Sequence, residues 1–111
     1  MILIIGGAYQ GKYEFALNTL GLNEENILNG FHILTKKMLK DGRNVCEETE
    51  KIIADKKISA VISDEIGCGI VPADAFEREW REQTGRALCK IAGVAETVFR
   101  VQYGVAVKIK G

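Results

Sequence analysis

The chain opens with residues that are typical of a phosphate-binding turn. An apolar run over residues 1–5 ends in the glycine pair Gly6-Gly7, and Gly11-Lys12 follow after three more residues. Glycines let the backbone turn tightly and aim several N–H groups at one anion, and the N-terminus of a following helix adds partial positive charge. Lys12 adds a mobile ammonium group for terminal phosphates. The spacing fits the G-x-x-x-x-G-K part of a P-loop and therefore predicts a phosphate cradle.

The residue after Lys12 departs from that pattern. P-loops place a hydroxyl there for Mg²⁺, and the distant phenol of Tyr13 does not reach the same position. Phosphate binding is therefore indicated, whereas the usual placement of the metal is not. The alternative interpretation is a glycine-rich turn between a strand and a helix that binds no ligand. The candidate nucleotide-binding residues of this loop are Gly6, Gly7, Ala8, Tyr9, Gln10, Gly11, Lys12 and Tyr13.

A second candidate group is the acidic pair Asp64-Glu65, which follows the apolar segment 58–63. An acid at the end of a parallel strand can hold Mg²⁺, and a second one can orient a hydroxyl nucleophile, so Asp64 is the candidate metal ligand and Glu65 a candidate catalytic residue. Together with Lys12 they supply a cation and carboxylates for phosphoryl transfer. The alternative is that Glu65 caps loop N–H groups and that Asp64 is solvated.

Four further side chains have more than one interpretation. His32, the sole histidine, is a candidate catalytic residue that could attack an α-phosphate to form a phosphoramidate, hydrogen-bond a nucleotide, or pack. Arg86 is a candidate phosphate contact, or it is solvated or paired with Glu82 on its own helix. Trp80 and Tyr103 are predicted to pack, with stacking on a ligand as the alternative.

Composition limits the class of protein. The 111 residues are 47% hydrophobic and 27% charged with a formal net charge of zero, which predicts one domain over residues 1–111 and argues against a nucleic-acid surface. The apolar runs are shorter than the ~18 residues of a membrane span, and the first is too short for a signal peptide, so we expect no membrane partner and a cytoplasmic location. Cys46, Cys68 and Cys89 are predicted to be reduced packing residues.

Hydrophobic periodicity indicates the elements that must position these groups. Strands are predicted at 1–5, 27–28, 58–63, 97–102 and 105–109, the last two around Tyr103-Gly104 and with a polar face toward solvent. Helices are predicted at 13–20, at 31–40, from the cap Asn44 through residue 56, and over a long segment opened by Pro72. Gly85 within that segment costs about 1 kcal/mol relative to alanine, which predicts a packing or ligand reason for it.

The order of these elements predicts an α/β fold. We expect a mostly parallel P-loop-type sheet with helices on both faces and a C-terminal strand pair. Because ligands sit beyond the carboxyl ends of parallel strands, the loops 6–12, 29–32 and 64–70 should share one edge of the sheet and one site.

The glycine blocks resemble a known enzyme family. Gly6-Gly7-Ala8-x-x-Gly11-Lys12 resembles the G-G-A-R-S-G-K-S loop of the bifunctional adenosylcobinamide kinase / adenosylcobinamide-phosphate guanylyltransferases of cobalamin biosynthesis. The block Asp64-Glu65-Ile66-Gly67-Cys68-Gly69-Ile70-Val71-Pro72 is similar to that family's N-E-V-G-x-G-I-V-P, with two conservative changes. Phe76 and Gly85-Arg86 resemble parts of its long helix, and the segment 104–110 resembles its G-I-x-x-x-I-K ending. The resemblance covers the first loop and nearly everything from residue 58 onward.

The resemblance implies a nucleotide-dependent transferase that acts on adenosylcobinamide or its phosphate. It implies GTP or ATP and Mg²⁺ as cofactors, a corrinoid as the second substrate, and a homo-oligomer, with a trimer favoured. The family's middle section, with the histidine that becomes guanylylated, is missing here, and His32 follows the short second strand directly. The alternatives are therefore a nucleotide- or corrinoid-binding relative without catalysis, and a small kinase for another alcohol.

Overall fold

The computed structural model describes residues 1–66 and 73–111 of the chain. Their elements alternate between strands and helices, as the periodicity predicts. In chain order they are β1 (Ile2–Gly6), α1 (Lys12–Glu14), a π-helical turn (Phe15–Thr19), a 3₁₀ turn (Glu24–Asn26), β2 (Ile27–Asn29), α2 (Phe31–Lys40), α3 (Val45–Ala54), β3 (Ala60–Asp64), α4 (Ala75–Val94), β4 (Thr97–Gln102) and β5 (Val105–Lys110).

The strands form one five-stranded sheet in the order β2-β3-β1-β4-β5. Strand β1 pairs in parallel with β3 and β4, and β2 pairs in parallel with β3, whereas β5 is antiparallel to β4. The register aligns Gly6 at the end of β1 with Asp64 at the end of β3. The predicted mostly parallel α/β fold with a C-terminal strand pair is therefore confirmed, and the same register brings the glycine turn and the acidic pair to one edge.

Helices cover both faces of the sheet, but unequally. On one face, Leu3, Val61 and Val98 are buried in a cluster with residues of α2, α3 and α4. On the other face, Ile4 and Ile62 pack in a smaller cluster formed with α1, the π-helical turn and β4. Successive strand residues point to opposite faces, which is why adjacent residues of β1 enter different clusters.

The helix signals in the sequence are accurate for α2 and α3. The bounds of α2 are those predicted, and the side chain of Asn44 accepts a hydrogen bond of 3.0 Å from the Glu47 N–H, as expected of an N-cap. Helix α3 ends at Ala54, two residues earlier than predicted, and α4 begins at Ala75 with Asp74 as its cap. Pro72, predicted to open α4, lies outside the described residues.

Two local predictions are wrong. The helix predicted over 13–20 is α-helical only at its start and continues as a π-helical turn in which Leu20 N–H donates to the Phe15 carbonyl. The predicted packing of Cys46 and Cys89 is not found, since both are exposed, and Cys68 lies outside the described residues. In α4, Ala87 is buried, and a position two residues further along a helix lies on nearly the opposite side, so Cys89 faces solvent.

The outer strand also differs from the prediction of a polar outer face. Its alternate residues Val105, Val107 and Ile109 are all more than half exposed. They pair with or lie beside residues of β4 on the α2–α4 side of the sheet. An apolar row on an edge strand is a feature that soluble proteins normally keep short or covered. We call this row the β5 stripe.

Gly85 has open space around it, contrary to the predicted packing reason. A Cβ atom built at Gly85 would meet no atom of residues 1–66 and 73–111 within 4 Å, whereas one built at Gly6 would overlap the carbonyl oxygen of Val101. The two glycines therefore differ in whether the fold requires a residue without a side chain. Gly6 is required by the close approach of β1 and β4, and Gly85 only lowers the helix propensity of α4.

We therefore expect Gly85→Ala to raise the free energy of unfolding by about 1 kcal/mol, because alanine restricts the unfolded chain and favours the helix. Urea denaturation followed by circular dichroism measures the change. The matched variant Gly6→Ala should lower stability, since its methyl group meets backbone. A loss of stability in Gly85→Ala would show that this face of α4 is covered by something outside the described fold.

Candidate functional site

A cavity of about 440 Å³ lies where the carboxyl ends of β1, β2 and β3 meet. This is the position at which open parallel sheets bind ligands. The three loops predicted to share one site contribute to it, as far as they are described. Among the described residues its lining contains Ala8, Tyr9, Gln10, Gly11, Lys12, Tyr13, Glu14, Asn29, Gly30, His32, Ile33, Ile62 and Asp64.

Lys12 lies at the base of this cavity and is only 7% exposed. Gly11 precedes it in the left-handed conformation, with φ at 89°, which turns the chain from the loop into α1. The Lys12 ammonium donates to the Gly7 carbonyl at 2.5 Å and lies 2.8 Å from Asp64 Oδ1. The structure thus brings together the cation of the first motif and the acid of the second.

The hydroxyl of Tyr13 belongs to a different contact. The pKa of the Tyr13 phenol is raised, first by desolvation and then by the Glu24 carboxylate, which accepts its hydrogen bond. A phenol under the influence of the Glu24 carboxylate differs from the serine or threonine hydroxyl that a P-loop provides for Mg²⁺. The sequence-based inference that Tyr13 does not replace that residue agrees with this contact.

His32 contacts Asp64 through both ring nitrogens. Its Nδ1 accepts a 3.1 Å hydrogen bond from the Asp64 backbone N–H, which places the proton of neutral His32 on Nε2, 3.3 Å from Asp64 Oδ2. Burial lowers the pKa of His32, the Asp64 carboxylate raises it in part, and Lys12 lowers it further. His32 is therefore a neutral hydrogen-bonding partner of Asp64 in the folded chain.

Helix α4 helps to fix the position of His32. It does so through Trp80, which was predicted to pack with stacking on a ligand as the alternative, and through a threonine to which the sequence patterns gave no part in the site. The indole N–H of Trp80 donates to the His32 carbonyl at 2.8 Å and lies 3.2 Å from the Thr35 hydroxyl. Thr35 and Thr84 are fully buried, with their hydroxyls 2.7 Å apart. Two threonines on the apolar faces of two predicted helices were the available signal, since a buried hydroxyl needs a partner.

Glu65 lies on the other side of the strand end from the cavity. Both of its carboxylate oxygens are bound by Arg100, at 2.8 Å from Nε and 2.6 Å from a terminal nitrogen. Its backbone N–H donates to the Gly6 carbonyl at 2.9 Å, which ties the acidic segment to the glycine turn. Glu65 is absent from the described lining of the cavity, so the structure does not bring it to Lys12. Its catalytic role stays a prediction.

Arg86 is also away from the cavity. It forms an ion pair of 2.6 Å with Glu82 one turn earlier in α4, which is the alternative that the sequence left open. It lines a separate depression of about 150 Å³ between α3 and α4, together with Cys46 and Lys90. Its contact with a phosphate stays a prediction that this geometry does not favour.

The described part of the site offers one carboxylate, that of Asp64, to a metal ion. Residues 1–66 and 73–111 contain no group of three or more histidine, cysteine, aspartate or glutamate side chains that could hold an ion. Mg²⁺, however, usually binds through one or two carboxylates together with phosphates and water. Asp64, at the cavity and 24% exposed at its side chain, fits that smaller requirement.

The pKa of His32 leads to a prediction about pH. Because burial lowers that pKa, the unfolded chain takes up a proton near the ordinary value of 6.5 while the folded chain remains neutral. Stability should therefore be full above pH 6.5 and fall as the pH decreases through the folded pKa. In His32→Asn, whose amide oxygen can replace the Nδ1 acceptor, thermal unfolding between pH 7.5 and 5.5 should change less than in the wild type. An identical pH dependence would contradict the buried neutral imidazole.

Comparison with known proteins gives the family. The sequence model described as "Cobinamide kinase / cobinamide phosphate guanyltransferase" matches residues 30–109, a range that starts after the glycine turn and includes His32 and Asp64. The chain is similar to the bifunctional adenosylcobalamin biosynthesis protein CobU of Salmonella typhimurium, with 38% identity over 50 residues. Those residues are 45% of this chain and 28% of that protein, so the chain matches less than a third of its length. Because the family match covers well over half of the chain, this protein belongs to the cobinamide kinase / cobinamide phosphate guanyltransferase family.

Proposed function

We propose that this protein binds the phosphates of GTP or ATP at residues 6–12 and transfers a phosphoryl group to an alcohol of adenosylcobinamide, in the cytoplasm where these nucleotides are supplied. The observation that carries the proposal is the Lys12 ammonium, buried at the base of the cavity and 2.8 Å from Asp64 Oδ1. The family match supports the substrate class.

The contacts of Lys12 suit exchange with a phosphate. In the free chain its ammonium is satisfied by the Gly7 carbonyl and by Asp64. A nucleotide phosphate offers more negative charge to the same ammonium, and backbone N–H groups of the loop donate to it as well. Lys12 would then contact the phosphate, and Asp64 Oδ1 would become available to another cation.

Asp64 is the residue that would hold Mg²⁺. The ion would be bound jointly by this carboxylate and the nucleotide phosphates, and its charge would stabilise the charge that develops on the transferring group. His32 keeps the Asp64 carboxylate oriented, since it contacts both the carboxylate and the backbone N–H of the same residue.

The geometry favours phosphoryl transfer over guanylyl transfer. In the kinase reaction the acceptor oxygen forms a bond with the γ-phosphorus, the bond to the leaving nucleoside diphosphate breaks, and the hydroxyl proton is released. Guanylyl transfer through His32 would need a free nitrogen lone pair, and Nδ1 accepts from the Asp64 N–H. The kinase reaction needs no change in that hydrogen bond.

We also propose that the protein forms a homo-oligomer, with a trimer favoured by the family resemblance. The β5 stripe supports association because Val105, Val107 and Ile109 expose apolar surface along an edge strand. Burying that row against a second copy would remove it from water. Analytical ultracentrifugation measures the assembly directly.

A relative that binds nucleotide or corrinoid without catalysis is the second candidate. Two observations favour it: the Tyr13 hydroxyl is engaged by Glu24, and Glu65 is engaged by Arg100. A third candidate function, a kinase for another alcohol, would bind nucleotide without binding cobinamide. Turnover of labelled cobinamide with GTP or ATP would exclude both the non-catalytic relative and the kinase for another alcohol.

Isothermal titration with GTP, ATP and their Mg²⁺ complexes tests nucleotide binding. We expect saturable binding by the wild type and a loss of about 2–3 kcal/mol in Lys12→Ala, because a charged hydrogen bond to phosphate is removed. Lys56→Ala is the matched control, since Lys56 is exposed and precedes the start of β3, at the other end of that strand from Asp64. The absence of saturable binding by the wild type would exclude the enzyme function.

Paired substitutions distinguish the two acids. We expect Asp64→Asn to lower kcat by about 100-fold or more, because it removes the carboxylate that faces the phosphates. Glu65→Gln should lower kcat by less, since Glu65 contacts Arg100 and not the cavity. Steady-state assays with cobinamide measure both, and circular dichroism controls for folding. A larger loss in Glu65→Gln would assign the catalytic acid to Glu65.

A further inference from the structure

Two tyrosines adopt a backbone conformation that is unfavourable for their type. Tyr9 has φ at 57° and Tyr103 has φ at 51°, and within residues 1–66 and 73–111 they are the only residues other than glycine with positive φ. The left-handed region brings Cβ close to the carbonyl oxygen, so bulky side chains rarely occupy it. Such residues persist where the surrounding structure or a ligand compensates for the strain.

Neither ring is packed against the described protein. Tyr9 is fully exposed and Tyr103 is 89% exposed, so the prediction that Tyr103 packs is wrong. Tyr103 and Gly104 form a two-residue hairpin turn between β4 and β5 with φ positive at both positions. Asparagine and glycine are the residues preferred there, so the turn itself gives no reason for a tyrosine.

The loops that carry the two rings are bound to each other through one residue. The Gln10 carbonyl accepts from Gly104 N–H at 2.8 Å, and the Gln10 side-chain oxygen accepts from Tyr103 N–H at 2.6 Å. Tyr9 is adjacent to Gln10 in the chain and lines the cavity. The β4–β5 turn is therefore held against the loop 6–12. Tyr9 lines the cavity, and Tyr103 lies on the turn that is bound to the next residue of that loop.

We propose that Tyr9 and Tyr103 bind a flat conjugated ring of the ligand whose phosphate chemistry is described above, and this inference rests on that proposed function. Two rings in the reaction have this chemistry: the nucleobase and the corrin macrocycle of the acceptor. Aromatic side chains gain free energy by stacking on such rings, and an exposed phenol loses little hydration of its hydroxyl when only its face is covered.

A role in binding a ring would account for both the positive φ angles and the exposure of Tyr9 and Tyr103. Relief of strain by asparagine or glycine at either position would stabilise the free chain but would remove the ring. A residue that lowers stability while exposing an aromatic face at a cavity has the pattern expected of a binding residue.

The test compares Tyr9→Asn and Tyr103→Asn with Tyr9→Phe and Tyr103→Phe, by isothermal titration with inorganic tripolyphosphate, GTP, ATP and cobinamide. The asparagine variants tolerate positive φ, so they should unfold at the same or a higher temperature than the wild type. Tyr103→Asn, which lies outside the loop 6–12, should bind tripolyphosphate within about twofold of the wild type. The asparagine variants should bind the ring ligand about tenfold more weakly, whereas the phenylalanine variants retain binding.

Each outcome of these titrations either supports or overturns the proposal that the two tyrosines bind a ring. Weaker binding of GTP and ATP alone assigns the rings to the nucleobase, and weaker binding of cobinamide alone assigns them to the macrocycle. Unchanged binding of all ring ligands in the asparagine variants would overturn the inference, as would an equal loss for tripolyphosphate in Tyr103→Asn, which indicates a damaged loop. If the wild type binds neither nucleotide nor tripolyphosphate, the proposed function fails while the cobinamide titration still tests the rings. Failure of cobinamide to bind in that case overturns the inference too.

Discussion

The contact between Lys12 and Asp64 is the interaction on which the site depends. It joins the first residue of α1 to the last residue of β3, which are far apart in the chain. The pairing of β3 with β1, the strand before the glycine turn, brings them together. A buried ammonium is costly unless it is paired and hydrogen-bonded, and here it has a carboxylate and a backbone carbonyl. The need to satisfy this charge therefore couples the shape of the glycine turn to the strand order of the sheet.

Layers of hydrogen bonds hold Asp64 in place for that contact. His32 binds its backbone and its carboxylate, and the carbonyl of His32 is in turn held by Trp80 from α4. The fully buried Thr35–Thr84 pair fixes α2 against α4. A side chain whose partners are themselves hydrogen-bonded is restricted to one orientation, and here the Asp64 carboxylate is held toward Lys12. The long helix thus contributes to the site without entering the cavity.

The opposite side of the glycine turn is supported by the terminal hairpin. Gly6 lies so close to Val101 that only glycine fits, and Gln10 binds the turn between β4 and β5. Glu65 and Arg100 connect the same hairpin to the acidic segment. The glycine turn is therefore held between β3 on one side and β4–β5 on the other. Because both sides are parts of one sheet, the loop conformation is determined largely by the free protein itself.

Local sequence determined much of this protein. The glycine spacing, the period of 3.6 in residues 31–40 and the apolar run before Asp64 each predict their element, because these signals depend on neighbours within a few residues. The order of strands and helices then predicts a parallel sheet and one shared edge. The resemblance in the two glycine blocks likewise indicates the same family as the match over residues 30–109.

Tertiary structure decided which of the predicted residues meet. Asp64 and Glu65 are adjacent in sequence, but neighbouring positions at the end of a strand point to opposite sides, so one faces Lys12 and the other Arg100. From the sequence, Arg86 could contact a phosphate or pair with Glu82. The folded chain shows the ion pair with Glu82. The burial of Thr35, the exposure of Tyr9 and Tyr103 and the open space at Gly85 depend on contacts between distant segments. Short-range patterns carry the signal for an element, whereas the surroundings of a side chain are set by segments that only the folded chain brings together.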